Sequence, residues 1–199
     1  MPIESARARS MNETRDRILD VALEVLGQNR DAGMGDIAAA AGVVRRTVYG
    51  HFPARADLVR SLTQRAVDEI AAVLTEVDTP EGAADAAWVD FVRRLWPLTR
   101  RYRVILALRR GEYGREIHAL LGPVDTTLAD LVRRGQDSGV FGRHLPAEVL
   151  SQVAFAAVFS IADNDLSSGS LGARAAAMTS LLMLGVPEAR ATTLVEGRP

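Results

Sequence analysis

The 199-residue chain contains no cysteine, no lysine and only three histidines. Without cysteine there are no disulfides and no thiolate metal sites, and histidines scattered at 51, 118 and 144 do not make a histidine-rich site, so neither metal nor cofactor is expected. Aromatic residues are 5% of the chain, and no uninterrupted apolar run approaches the roughly 18 residues of a membrane span. Residues 1–12 are polar, with Arg7 and Arg9 and no apolar signal core, from which a cytoplasmic protein without a membrane partner is expected. Strand-like alternation is missing, as are a nucleophile with an adjacent base and a glycine loop fit to cradle phosphate. No catalytic residue is therefore named, and an enzyme is the remote alternative, with a site formed only by folding.

What the chain does have is 48% hydrophobic content, ample for a buried core, and a length that suits a small head with a larger body. All 24 basic residues are arginine. A GC-rich coding bias is the simple account, although arginine's planar fork also suits phosphate and guanine better than lysine does.

The most informative segment runs from Asp36 to Phe52. Ala38 is small where two crossing helices would approach, Gly42 follows four residues later where the chain must leave the first helix, and glycine takes positive φ there without penalty. Ile37, Ala41, Val43 and Val48 can then converge as a miniature core, with Arg45, Arg46, Thr47 and Gly50 facing away from it. This is helix-turn-helix spacing, with an exposed set that would face DNA. A helical hairpin with an alanine-rich seam is the plainer alternative on spacing alone.

The segment resembles the DNA-binding domain of the tetracycline-repressor-type (TetR) family of regulators. The resemblance extends upstream through Thr14–Leu26, similar to the family's first helix, and downstream through Tyr49-Gly50-His51-Phe52-Pro53-Ala54-Arg55-Ala56-Asp57-Leu58, similar to the end of its recognition helix and the start of its fourth. Together these cover about a quarter of the chain. Three features depart from the family pattern. Val44 stands where a capping Ser or Thr is common, Arg46 where a small residue is common, and Ala32-Gly33-Met34-Gly35 where a Ser or Thr usually caps the second helix. Each glycine disfavours helix by up to about 1 kcal/mol, which predicts a weak start to that helix.

The resemblance implies a role for each residue of this edge. Arg45, Arg46 and Thr47 fall in the first turn of the recognition helix, where base edges are met; either arginine reads a guanine or grips a phosphate. Tyr49 and His51 contact the DNA backbone, and Arg55 a phosphate near the start of the fourth helix. The other assignment for Tyr49 and Phe52 is a plug between the head and the fourth helix. Arg7 and Arg9 form either a minor-groove arm or a solvated tail. Residues 1–60 carry nine arginines against eight acids, and residues 45–60 carry Arg45, Arg46, Arg55 and Arg60 against Asp57 alone.

The remaining pattern is helical throughout, giving an all-α fold of about nine helices. A 3.6-residue stripe from Leu58 through Leu62, Ala66, Ile70 and Leu74 predicts a long fourth helix that stops at Asp78-Thr79-Pro80. Further helices are expected over 81–102 with a kink or break at Pro97, then 103–110, 117–138, 146–164 and 171–184, with Pro123 and Pro146 in first-turn positions. The expected domains are a helix-turn-helix head over 1–60, of which 1–12 form a flexible arm, a regulatory and dimerisation body over 61–185, and a weakly ordered tail over 186–199.

The helix from Pro146 is apolar nearly all round and so needs cover on both sides. Val153, Ala157 and Ile161, with Met178, Leu181 and Leu182 of the next helix, are assigned to an isologous homodimer interface, the alternative being a central core helix. By the family resemblance an effector pocket is expected among Trp88, Phe91, Trp96, Tyr102, Glu112, Tyr113 and His118, although the aromatic members suit a plain core equally well. The expected function is a dimeric regulator that binds an inverted repeat in double-stranded DNA, most simply a repressor released by a small-molecule effector. A DNA-binding regulator without an effector is the second reading.

Overall fold

The computed structural model describes residues 2–77, 82–109, 111–168 and 171–197, and among them every regular element is an α-helix. They are α1 (Pro2–Gln28), α2 (Met34–Ala40), α3 (Arg45–His51), α4 (Arg55–Val77), α5 (Ala84–Arg101), α6 (Arg103–Arg109), α7 (Gly114–Asp137), α8 (Ala147–Ser168), α9 (Ala173–Met183) and α10 (Glu188–Glu196). The expected stop at 78–80 and the helix end at 110 lie outside the described residues. No described helix is long and apolar enough to cross a membrane.

The chain divides into two compact units, Met1–Arg65 with Tyr102–Ala119, and Ala66–Arg101 with Leu120–Pro199. In the first, α1 buries Ile18, Leu19, Ala22 and Leu26, a 3–4 spacing that turns one face inward, and α4 buries Leu58, Val59 and Leu62. Residues 102–119 group with this head rather than with the body to which they were assigned. Tyr102, Val104, Ile105 and Ile117 are buried, and the Arg103 guanidinium donates to the Gly27 carbonyl at the end of α1 (3.4 Å).

The second unit is built on α5, α8 and α9. Trp88, Phe91, Val92 and Leu95 of α5 join Leu128 and Leu131 of α7, Leu150, Ala154 and Val158 of α8 and Ala176, Ala177 and Leu181 of α9 in one apolar cluster. Gly185 ends α9 at φ 84°, with the Val186 N–H returning to the Leu181 carbonyl (3.0 Å) and the Gly185 N–H to the Leu182 carbonyl (3.0 Å).

Several expectations on regular structure are corrected. Residues 186–199 are not simply a tail: α10 buries Ala191 and Val195, Arg93 donates to the Val195 carbonyl (2.7 Å), and Arg174 pairs with Glu196 (2.6 Å). Its short apolar repeat after Pro187 gave too weak a period, and it raises the helix count from about nine to ten among the described residues. Residues 2–12 belong to α1 and are not an irregular arm. Pro97 does not break α5, and Pro123 lies inside α7 rather than in its first turn. Pro146 directly precedes α8, and its carbonyl accepts the Val149 and Leu150 N–H groups.

Candidate nucleic-acid interface

The turn before α3 sets that helix's direction. Gly42 has φ 65°, the Val43 N–H donates to the Ala38 carbonyl (3.0 Å), and the Gly42 N–H donates to the Ala39 carbonyl (3.2 Å). This Schellman arrangement satisfies carbonyls that the end of α2 would otherwise leave open. Ile37, Ala38, Ala41 and Val48 are buried beneath the turn, and Val43 is half-buried. The start of α2 is firmer than its glycines suggested, because Asp36 Oδ2 accepts the Gly33 N–H (2.7 Å) and supplies half of a capping box.

On α3, Arg45 and Tyr49 are one turn apart, as are Arg46 and Gly50, and all four are exposed. Thr47 and His51 are half-buried. Val44 has no side-chain cap to offer and is 67% exposed. Phe52 is the plug: it is buried, the Arg15 guanidinium carbon lies 5.3 Å from its ring centroid, and Arg15 Nη2 donates to Ser61 Oγ (3.0 Å). Tyr49, 48% exposed, is not part of it.

The four arginines of 45–60 separate into two kinds. Arg55 Nη1 and Nη2 donate to the Ala32 and Arg30 carbonyls and tie the start of α4 to the loop after α1. Arg60 pairs with Asp57 (3.2 Å) and with Glu116. Arg45 and Arg46 have no hydrogen-bond or ion-pair partner among the described residues. Arg45 instead lies over Gly35, where a Cβ would fall 2.2 Å from its Nη2 and 2.5 Å from its Nε. Sequence reasoning treated Gly35 only as a weak helix start; a glycine inside the first turn of a short helix was the available signal of close approach.

Charge follows the same division. The first unit holds 14 arginines against ten Asp and Glu, a net of +4, and the second ten against fifteen, a net of −5. The overall charge of −1 conceals this segregation. A basic unit around α3 favours a polyanion, where the whole-chain sum would not.

The residues expected to hold an effector do not fall in one unit. Trp88, Phe91 and Trp96 are in the second, whereas Tyr102, Glu112, Tyr113 and His118 are in the first. Trp88 is fully buried, its Nε1 donates to Ser180 Oγ (2.9 Å), and it packs edge-on to Phe91 (6.0 Å between centroids). Trp88 and Phe91 are therefore core residues, with the indole N–H satisfied from within. Trp96 is half-buried, as is Phe159, which meets Phe155 edge-on at 4.9 Å. In the first unit Tyr102 is buried, Tyr113 half-buried, and Glu112 and His118 exposed.

The residues expected at a subunit interface also separate. Leu181 is fully buried in its own chain's cluster and is not available to a partner. Val153 and Leu182 (43% and 45%) are exposed, and Ala157, Ile161 and Met178 are half-buried. Val149 and Met183, outside the expected set, are exposed on the same two helices.

Residues 18–62 match the family model described as bacterial regulatory proteins, tetR family. The HTH-type transcriptional repressor LfrR of Mycolicibacterium smegmatis is 41% identical over 87 residues, 44% of this chain and 46% of that protein. The HTH-type transcriptional regulator AcrR of Shigella flexneri is 48% identical over 48 residues, 23% of this chain and 22% of that one. The chain thus spans less than half the length of either curated relative. The crystal structure of LfrR from Mycobacterium smegmatis in complex with proflavine superposes with a TM-score of 0.70 at 26% identity, over 89% of this chain and 96% of that one. The helix-turn-helix geometry and the matched segment agree that residues 18–62 carry the DNA-binding segment of the tetR family of bacterial regulatory proteins, and the all-α fold of the chain is similar to that of LfrR.

Proposed function

We propose that this protein is a transcriptional repressor that binds an inverted repeat in double-stranded DNA as a homodimer and is released by a small-molecule effector. The observation that carries the proposal is α3: it is set by the Gly42 turn and presents unpaired Arg45 and Arg46 with Tyr49 from a unit of net positive charge. Two such helices, one per subunit, read half-sites one helical turn apart and supply the specificity that a single seven-residue helix lacks. Val149, Val153, Leu182 and Met183, each about 40% exposed, support a partner covering α8 and α9.

The deciding experiment is selection of bound duplexes from a random library. An enriched inverted repeat supports the proposal, and enrichment of no sequence refutes it. Sedimentation at micromolar concentration tests the dimer, and Val153→Glu is expected to yield single subunits that bind DNA weakly.

For the effector, the half-buried aromatic rings Trp96 and Phe159 favour a flat aromatic ligand, and the proflavine complex of a relative supplies a probe. Proflavine is expected to quench Trp96 fluorescence while leaving the sealed Trp88 largely unaffected, and to lower affinity for the selected duplex. Quenching without loss of affinity would favour a regulator that no such ligand controls.

A further inference from the structure

We infer that Val44 is a specificity-determining residue that contacts the 5-methyl group of a thymine. The inference rests on the proposed DNA-binding function and adds one contact to it.

Val44 precedes α3 with φ −77° and ψ 151°, and its carbonyl accepts the Thr47 N–H (2.9 Å), so its backbone serves the turn while its side chain serves nothing inside the chain. At 67% it is the most exposed large apolar residue of the described chain. The fold does not require an apolar group there: Ile37, Ala41 and Val48 already fill the miniature core, and a serine or threonine would add a cap. A valine offers no hydrogen bond to a phosphate or to any base edge. The thymine 5-methyl is the apolar feature of the major groove, and apolar side chains at the start of a reading helix meet it. Arg45 and Arg46, adjacent and unpaired, hold this part of the helix against the phosphate-lined groove and bring the valine within reach.

The test uses the duplex that the full chain selects from a random library, with each deoxythymidine replaced in turn by deoxyuridine, which removes only the methyl group. One position in each half-site is expected to cost the unaltered protein about fourfold in affinity, the value of one buried carbon. With Val44→Ala, which withdraws two methyl groups, the same replacement is expected to cost clearly less than it costs the parent. Because Val44 is exposed, Val44→Ala is expected to keep the thermal midpoint of the parent, and Val44→Thr, which retains one methyl, provides a second variant that also adds a cap. Selection of a duplex in which no position shows a methyl effect dependent on residue 44 overturns the inference alone. Selection of no duplex overturns the DNA-binding function, and this contact with it.

Discussion

Replacing Gly35 by alanine is expected to make the head more stable and a poorer DNA binder. Gly35 lies in the first turn of α2, and alanine there recovers helix propensity worth up to about 1 kcal/mol. For a chain of this length that corresponds to a rise of about 2 to 4 °C in the thermal midpoint. The new Cβ would sit 2.2 Å from Nη2 of Arg45, but it meets the far end of a long, unpaired side chain, which can swing away at little cost to folding. The loss appears in binding. The bare Gly35 backbone leaves room for the Arg45 guanidinium to lie against α2, and losing that placement so that the side chain must be ordered on binding costs about 0.5 to 1.5 kcal/mol, or roughly two- to twelvefold in affinity. Calorimetry and a titration against the selected duplex measure the two quantities, and the same change in an Arg45→Ala background isolates the pair. The reasoning is refuted if Gly35→Ala lowers the midpoint, since Arg45 is then not free to move. It is equally refuted if the affinity loss persists without Arg45.

Gly42→Ala is expected to destabilise by about 1 to 2 kcal/mol through positive φ alone, because no atom lies within 4 Å of the added Cβ; Gly42→Asn recovers part of this, and equal losses in urea unfolding would point to another cause. Ser180→Ala leaves the buried Trp88 N–H without its acceptor and is expected to cost about 1 to 3 kcal/mol, with a shift in tryptophan emission that a loss by packing alone would not give. Glu148 is held below the usual carboxylate range, first by its own backbone N–H and then by Arg133. A depressed carboxylate stabilises the fold above its ordinary titration range and loses that contribution as pH falls through it, so the parent and Glu148→Gln are expected to converge as the carboxylate is protonated at acid pH. The group is fully exposed and the difference at neutral pH is small; parallel melting curves from pH 7 to 3 would refute the assignment.

What the sequence disclosed was local. Ala38, Gly42 and Val48 obey short-range sterics at fixed spacing, so the turn and the direction of α3 were legible in the sequence. The long α4 was legible from its stripe, as was the all-helical class. Position in three dimensions was not. Arg55 and Arg45 are both arginines beside a helix start, and only the fold shows that one is spent on backbone carbonyls and the other rests on a glycine. Trp88, Phe91 and Leu181 were plausible at a ligand or partner surface because a period of 3.6 shows that a face is apolar and not what covers it. α10 escaped because nine residues give too few turns for a period to stand out.

The grouping of residues 102–119 with the head bears on how an effector would act in the proposed function. The backbone passes from one unit to the other three times: within α4 after Arg65, after Arg101, and within α7 after Ala119. Two of these crossings lie inside helices, α4 and α7. Arg60 of α4 pairs with Glu116 of α7 on the head side, so these two helices are also joined by charge there. An effector shifts the DNA-binding equilibrium only by its difference in affinity for the two states, and moving it from 1:99 to 99:1 needs about 5.5 kcal/mol. Glu116→Gln removes the charge link while leaving both helices intact. It is expected to leave effector binding unchanged while altering the effector concentration that releases the duplex, and release at the parent concentration would assign the coupling to the helices alone.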